Sequence, residues 1–234
     1  MGGLCKDKKK HLKNLKDVCK LISHLEYFIW GGTLLGYHRE KDIIDGDDDI
    51  DFAMHVKHKD EIIEIMNSNG YSGGAESEER ECSEPQPFPV CEYLLSFKRK
   101  VDGVKVNTDF FLYDEDGGKE DCILMRFMPD IGSRCGEGEG VSLPKKIVYP
   151  IEVKELQGIK VKVPNDSEAA VLINFGENWK TPLSRTDLSW SYYSLWLNSD
   201  KPTTVTLKNG RVRSLIGTSL LGFGNGKENG KRRI

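Results

Sequence analysis

Between Asp45 and Asp51 the chain carries five carboxylates in seven positions: Asp45, Asp47, Asp48, Asp49 and Asp51. Charges crowded in this way repel one another unless a cation or water screens them, so the segment restricts the folds that can contain it. A calcium loop of the EF-hand kind does not fit. Counting from Asp45 or from Asp47 places no glycine at the sixth position and no glutamate at the twelfth. The run Asp49-Ile50-Asp51-Phe52 instead alternates acid and apolar residues, the period of a strand. Residues two apart in a strand point to the same face, about 6.6 Å apart. Asp49 and Asp51 can then share a metal ion while Ile50 and Phe52 enter a core.

The flanking sequence supports this reading. Glu26 to Trp30 predicts a short strand broken by Gly31-Gly32, and Thr33-Leu34-Leu35 predicts the start of a helix. A glycine turn between strand and helix offers backbone N–H groups at a positive helix end, so Gly31, Gly32 and Thr33 are candidates for binding a phosphate. Further on, Val104, Val106, Thr108, Phe110 and Leu112 share one face of a predicted strand, and Asp109 faces the other way. Asp109 lies far downstream of Asp51 in the chain and supplies a third carboxylate. Three oxygen donors, left partly hydrated, suit Mg²⁺ or Mn²⁺ rather than zinc.

Elsewhere the pattern predicts mixed α and β elements. Asp7 to Leu25 has the 3.6-residue period of an amphipathic helix through Leu12, Leu15, Cys19 and Ile22. Asp60 to Met66 reads as a helix, and Ser72 to Glu92 as a long polar loop. Tyr93 to Lys100 and Val104 to Tyr113 read as strands joined at Asp102-Gly103, a hairpin signal. Asp114 to Asp121 reads as a polar turn, Ile123 to Met128 as an apolar run, and Gly132 to Gly140 as a glycine-rich loop. Tyr149 to Val163 reads as one or two strands. Asn165 followed by Glu168 resembles a capping box for a helix over Ala169 to Phe175, with Gly176 at its C-cap. From Asn198 the chain is polar and glycine-rich, and its basic end reads as a mobile tail.

Composition excludes several classes. Lys and Arg number 34 against 37 Asp and Glu, a net charge of -3, so no broad phosphate-backbone footprint for nucleic acid is expected. No apolar run reaches the length of a transmembrane segment, and no secretory signal is visible at the N-terminus. Met1-Gly2-Gly3-Leu4-Cys5-Lys6 departs from a myristoylation signal at Lys6. The compartment therefore stays open. None of the six cysteines forms a Cys-x-x-Cys pair. Reduced thiols are expected, with a zinc site or disulfides among Cys82, Cys91, Cys122 and Cys135 as the alternative.

The wording of the motifs resembles the LicD family of the nucleotidyltransferase superfamily, which includes the fukutin-related proteins. The resemblance is carried by Trp30-Gly31-Gly32-Thr33-Leu34-Leu35-Gly36 with Arg39, then Asp47-Asp48-Asp49-Ile50-Asp51. A second block, Tyr149-Pro150 through Gly158 to Pro164 and Phe175-Gly176-Glu177-Asn178-Trp179-Lys180-Thr181-Pro182, is similar to the carboxy-terminal signature of that family. The resemblance implies an α+β fold, a nucleotidyltransferase-like mixed sheet flanked by helices, here with long loop insertions. The catalytic domain would occupy residues 1–185, and 186–234 would be a C-terminal extension.

The implied activity is transfer of a phospho-alcohol, such as phosphocholine or ribitol phosphate, from a CDP-activated donor to a glycan hydroxyl, with release of CMP. Asp49 and Asp51 would hold the metal, and Asp109 would hold it or accept the hydroxyl proton. Arg39 is a candidate for the donor phosphate, followed by Lys180 and Arg185. Trp179 reads as a packing residue, and His38 is the one histidine beside these candidates. The alternatives are a glycosyltransferase using Asp-x-Asp on a nucleotide-sugar, or a silent nucleotide-binding accessory protein. Animal relatives usually act in the secretory pathway behind an N-terminal anchor.

Overall fold

A computed structural model describes residues 8–75, 94–115, 117, 120–125, 141–175, 179–182, 203–206 and 212–215. Helix α1, Lys8–Leu21, opens the described chain and buries Leu15, Val18 and Cys19. Ile22 and Leu25 continue the same apolar face into the core, as the 3.6-residue period requires. Lys9, Lys13, Lys16 and Lys20 stay exposed on the opposite side.

Strand β1, Tyr27–Ile29, leads directly into helix α2, Gly31–Arg39. Strand β2, Asp51–His55, returns antiparallel to β1, with Ile29 opposite Phe52. The regular strand begins at Asp51 rather than Asp49. Ile50 still belongs to the ladder, because its N–H donates to the Asn107 carbonyl at 3.2 Å and its carbonyl accepts from Asp109 N–H at 2.9 Å. Helix α3, Lys59–Ser68, follows with Ile62 and Met66 buried.

Strand β3, Ser72–Ala75, pairs with β4, Leu94–Val101, which forms a hairpin with β5, Val104–Glu115. The expected loop from Ser72 is therefore corrected in its first four residues, which form an edge strand. Gly73 makes this pairing possible: its φ is +137°, and a Cβ there would overlap the Ser96 carbonyl. Residues 76–93 lie outside the described residues, as do 126–140, Gly176, Arg185 and the C-terminal stretch 216–234. The hairpin turn is Asp102-Gly103, both at positive φ (47° and 83°), as the sequence signal predicts. β5 runs on through Glu115, so the predicted polar turn begins later than Asp114. Pairing with β6, Cys122–Met125, satisfies the last residues of β5.

β6 pairs with β7, Val141–Pro144, and the seven strands form one sheet with the path β1-β2-β5-β4-β3 and β6-β7 branching from β5. β2 and β5 are parallel and every other pair is antiparallel, so the sheet is mixed. A short helix α4, Lys145–Val148, precedes a separate hairpin of β8, Glu152–Leu156, and β9, Ile159–Val163. Helix α5, Ser167–Phe175, is capped by Asp166 and not by Asn165. Ala169 N–H donates to Asp166 Oδ1 at 3.3 Å, while Asn165 Nδ2 donates to the Lys146 carbonyl at 2.9 Å. Strands β10, Thr203–Thr206, and β11, Val212–Leu215, form a further antiparallel pair within the stretch expected to be polar chain.

The core lies where α1 meets the sheet. Phe110 stacks on Phe52 at 5.2 Å between ring centroids and meets Phe97 edge-on at 5.9 Å. Asn14 of α1 donates to Thr108 Oγ1 at 2.9 Å and accepts from Tyr71 Oη at 2.8 Å, so this buried polar side chain is paired. Arg99 reaches the same side to pair with Asp17 and lies over the Tyr71 ring. Even-numbered β5 residues and odd-numbered β4 residues thus face α1, and the alternating residues form the opposite face.

Candidate active site

The opposite face carries the acids. In the parallel β2–β5 ladder Asp51 is opposite Asp109, and Asp49 lies just before the strand. One carboxylate oxygen from each of Asp49, Asp51 and Asp109 lies within 4.8 Å of the other two. Asp47, Asp48 and Asp49 form a second group of the same compactness, so Asp49 belongs to both. All donors are oxygen, and Asp49 and Asp109 are half-buried while Asp51 is buried. Such a hard, partly solvated ligand set fits a divalent cation of the Mg²⁺ or Mn²⁺ class.

Asp51 is fastened from every side. Its Oδ2 accepts from Gly32 N–H at 2.6 Å and Thr33 N–H at 3.4 Å, its own N–H donates to Thr33 Oγ1 at 2.8 Å, and its carbonyl accepts from Trp30 N–H at 3.0 Å. The start of α2 therefore presents its backbone donors to a carboxylate of the chain itself, a placement the helix dipole favours. The expected donors for a bound phosphate are in this structure turned toward Asp51. Both glycines are required by this closeness. Gly31 has φ +47°, and a Cβ there would overlap Asp51 Oδ2. A Cβ on Gly32 would lie 2.5 Å from Asp47 Oδ2 and 3.3 Å from Asp51 Oδ2.

Burial and the charges of Asp49, Asp47 and Asp109 push the Asp51 carboxyl well above the usual carboxylate range, and the Gly32 N–H only partly opposes them. Removing charge repulsion of this kind is what a bound divalent cation does.

Arg39 and Lys180 both meet Trp179 and are not members of the acid cluster. Arg39 is the last residue of α2, about 12 Å of helix from Gly31. Arg39 donates to Glu40 Oε1 at 2.6 Å and to the Trp179 carbonyl at 3.5 Å. Lys180 lies 5.0 Å over the Trp179 ring and 3.3 Å from Glu168. Trp179 is buried, and His38 meets its ring edge-on at 5.9 Å while contacting Ser167 Oγ at 3.0 Å. Trp179 is the packing residue expected, and it fastens the second sequence block to α2. Cys19 and Cys122 are free thiols, whereas Cys5, Cys82, Cys91 and Cys135 lie outside the described residues.

Sequence reasoning missed two neighbours of the acids. Asp47 reaches back over Gly32, and Ser96 lies opposite Asp109 across the hairpin. The second was available in principle, because an Asp-Gly two-residue turn at 102-103 fixes which β4 residue stands opposite each β5 residue.

Among solved structures, that of the lincosamide antibiotic adenylyltransferase LnuA with lincomycin bound is similar at 17% identity and a TM-score of 0.44, covering 76% of this chain and 90% of that one. No curated protein matches the chain in sequence. Among the described residues no helix is long and apolar enough to cross a membrane. The family described as LicD/FKTN/FKRP, nucleotidyltransferase domain, matches over residues 24–166, which include α2, the acid cluster, Asp109 and the second block as far as Asp166. With more than half of its length in that match, the chain belongs to the LicD family and is a transferase of the nucleotidyltransferase kind.

Proposed function

We propose that the protein is a metal-dependent transferase that moves a phospho-alcohol group from a CDP-activated donor to a glycan hydroxyl and releases CMP. The observation that carries this reading is the convergence of Asp49, Asp51 and Asp109 within 4.8 Å, at the first turn of α2, in a chain of this family. These three residues would hold Mg²⁺ or Mn²⁺, which supplies charge neutralisation at the phosphorus when bound.

The residues of the chain contribute orientation and proton acceptance. The Gly32 and Thr33 N–H groups hold the Asp51 carboxylate and the Thr33 hydroxyl accepts from the Asp51 backbone N–H, so the side chain is oriented before substrate arrives. Asp109 is half-buried, its N–H donates to the Ile50 carbonyl and its carboxylate lies within 4.8 Å of that of Asp51; in this reading it receives the acceptor hydroxyl proton. In-line transfer then breaks the phosphoanhydride bond, forms the new phosphodiester, leaves CMP, and places the hydroxyl proton on Asp109 or on water. Arg39 and Lys180 act, in this reading, on a part of the substrate that reaches the far end of α2 and not at the phosphorus.

The test is incubation with CDP-choline, CDP-ribitol and CDP-glycerol and a glycan acceptor, with Mg²⁺ or Mn²⁺, following CMP. Metal-dependent CMP release supports the reading. Release of a nucleoside diphosphate from a nucleotide-sugar, with no CMP from any CDP-alcohol, overturns it in favour of glycosyl transfer.

A further inference from the structure

The sheet face that carries Asp51 and Asp109 continues along the β4–β5 hairpin as a cationic surface. Register alone places it there. Ser96 is opposite Asp109, Lys98 is opposite Asn107, and Lys100 is opposite Lys105. All of these share the face away from α1, since the intervening Arg99 points toward Asp17 and Tyr71 on the α1 side. Lys98, Lys100 and Lys105 are exposed, and none of the three has an ion-pair partner among the described residues. Asn107 stands in the middle row and is half-buried.

Two features separate this patch from an ordinary solvated strand. Lys100 and Lys105 face each other directly across antiparallel strands, an arrangement that destabilises a hairpin unless an anion lies between them. On α1, Lys10 and Lys13 pair with Asp102, while Lys9 and Lys16, like the hairpin lysines, have no ion-pair partner among the described residues, so the direct opposition of Lys100 and Lys105 is what sets the hairpin apart. The patch is also adjacent to the acids. By strand rise, the Lys98–Asn107 row lies about 7 Å from Asp109 and the Lys100–Lys105 row about 13 Å.

We propose that Lys98, Lys100 and Lys105 form a subsite for an anionic group, phosphate or carboxylate, carried by the acceptor. The inference rests on the reading of the protein as a CDP-donor transferase. In such a donor the two phosphates are adjacent and the cytidine is uncharged, so a donor held with its phosphorus at Asp51 and Asp109 has no third anionic group to place at the lysine rows. The second anion belongs to the other substrate. The acceptor is then an acidic glycan, its hydroxyl directed at Asp109 by a charge held further along the hairpin, toward its turn.

The probe is glucose 6-phosphate with glucose as the uncharged control, titrated by calorimetry into the full-length protein with Mg²⁺ present, alongside a titration with CDP. The wild type should bind the sugar phosphate and not glucose. Lys98→Gln combined with Lys105→Gln should weaken the sugar phosphate about tenfold or more and leave CDP within about twofold. Removing the same number of charges from α1, with Lys9→Gln and Lys16→Gln, should change neither.

Equal weakening by the α1 pair would show a net-charge effect and overturn the subsite. Loss of CDP in step with the sugar phosphate would overturn it too, by assigning the lysines to the donor, and so would unchanged sugar phosphate binding. A wild type that binds sugar phosphate through these lysines but never binds CDP would leave the anion subsite standing and reject the donor reading. The double variant removes like-charge repulsion, so its melting temperature should not fall below that of the wild type, which keeps the binding result interpretable.

Discussion

Asp51 and Asp109 stand opposite each other in a parallel strand pair, although they are far apart in sequence. Parallel pairing requires a crossover, here α3 with β3 and β4, so this one register links the acidic turn to the hairpin. It also concentrates carboxylates at a buried point, which pushes the Asp51 carboxyl upward.

Replacing Asp51 or Asp109 by Asn keeps the shape and removes a charge. Turnover should fall by about 10²-fold or more if these acids stabilise the transition state through a cation. Melting of the metal-free variants should be at or above that of the wild type, because a repelling carboxylate is gone. Added Mg²⁺ or Mn²⁺ should raise the melting temperature of the wild type and not of the variants. Near-normal CMP release by Asp109→Asn would remove that residue from the mechanism.

Thr33→Val removes the acceptor for the Asp51 N–H with little change in volume. Leaving that buried donor unpaired should cost about 1–3 kcal/mol in chemical denaturation. Thr33→Ser retains the hydroxyl and should recover most of the loss. Equal stability for Val and Ser would show that the 2.8 Å hydrogen bond does not contribute.

Gly31→Ala should fold but lose metal affinity and activity, because the new Cβ displaces the Asp51 carboxylate and requires an L-residue at φ +47°. Gly32→Ala should act more mildly, since it pushes chiefly on Asp47. Calorimetric titration of Mn²⁺ into the folded variants would separate them, and a Gly31→Ala protein with wild-type affinity would contradict the steric argument.

Burial, the largest effect at both sites, lowers the affinity of His38 and His55 for a proton. A depressed histidine pKa means that the unfolded chain binds the proton first. Stability is therefore complete above the ordinary value of 6.5 and declines as pH falls through the lower folded-state values. Asp51, whose carboxyl is raised, contributes with the opposite sign, so the histidine effect is read by difference: the stability of the wild type relative to His38→Gln should fall between about pH 7.5 and about pH 5.5. A pH-independent difference between the two proteins over this range would be inconsistent with a partly buried, neutral His38.

Phe110→Ala removes a ring that touches both Phe52 and Phe97 at the centre of the sheet and should cost about 3–5 kcal/mol in chemical denaturation. Phe110→Leu should cost less, because more of the volume is kept. Equal losses for the two variants would show that the cavity is not what sets the cost.

Local chemistry made much of the protein legible in the sequence. Apolar periodicity marked α1, the Asp102-Gly103 pair marked the hairpin, and alternation around Asp109 put it on the face away from the core. These signals depend on residues within a few positions of one another, where propensity and burial act together. Other features had no local signal. The choice of Asp166 over Asn165 as the α5 cap was decided by the Lys146 carbonyl, which takes the Asn165 side chain. Ser72–Ala75 became a strand because β4 offered an edge, despite two glycines that local propensity disfavours. The direction of the α2 N–H groups toward Asp51 depended on the Trp30–Asp51 pairing that brings β2 beside the turn. The identities of the acids, glycines and lysines were thus written in the sequence. Their distances and partners were decided by strand register, which is set by contacts between residues far apart in the chain.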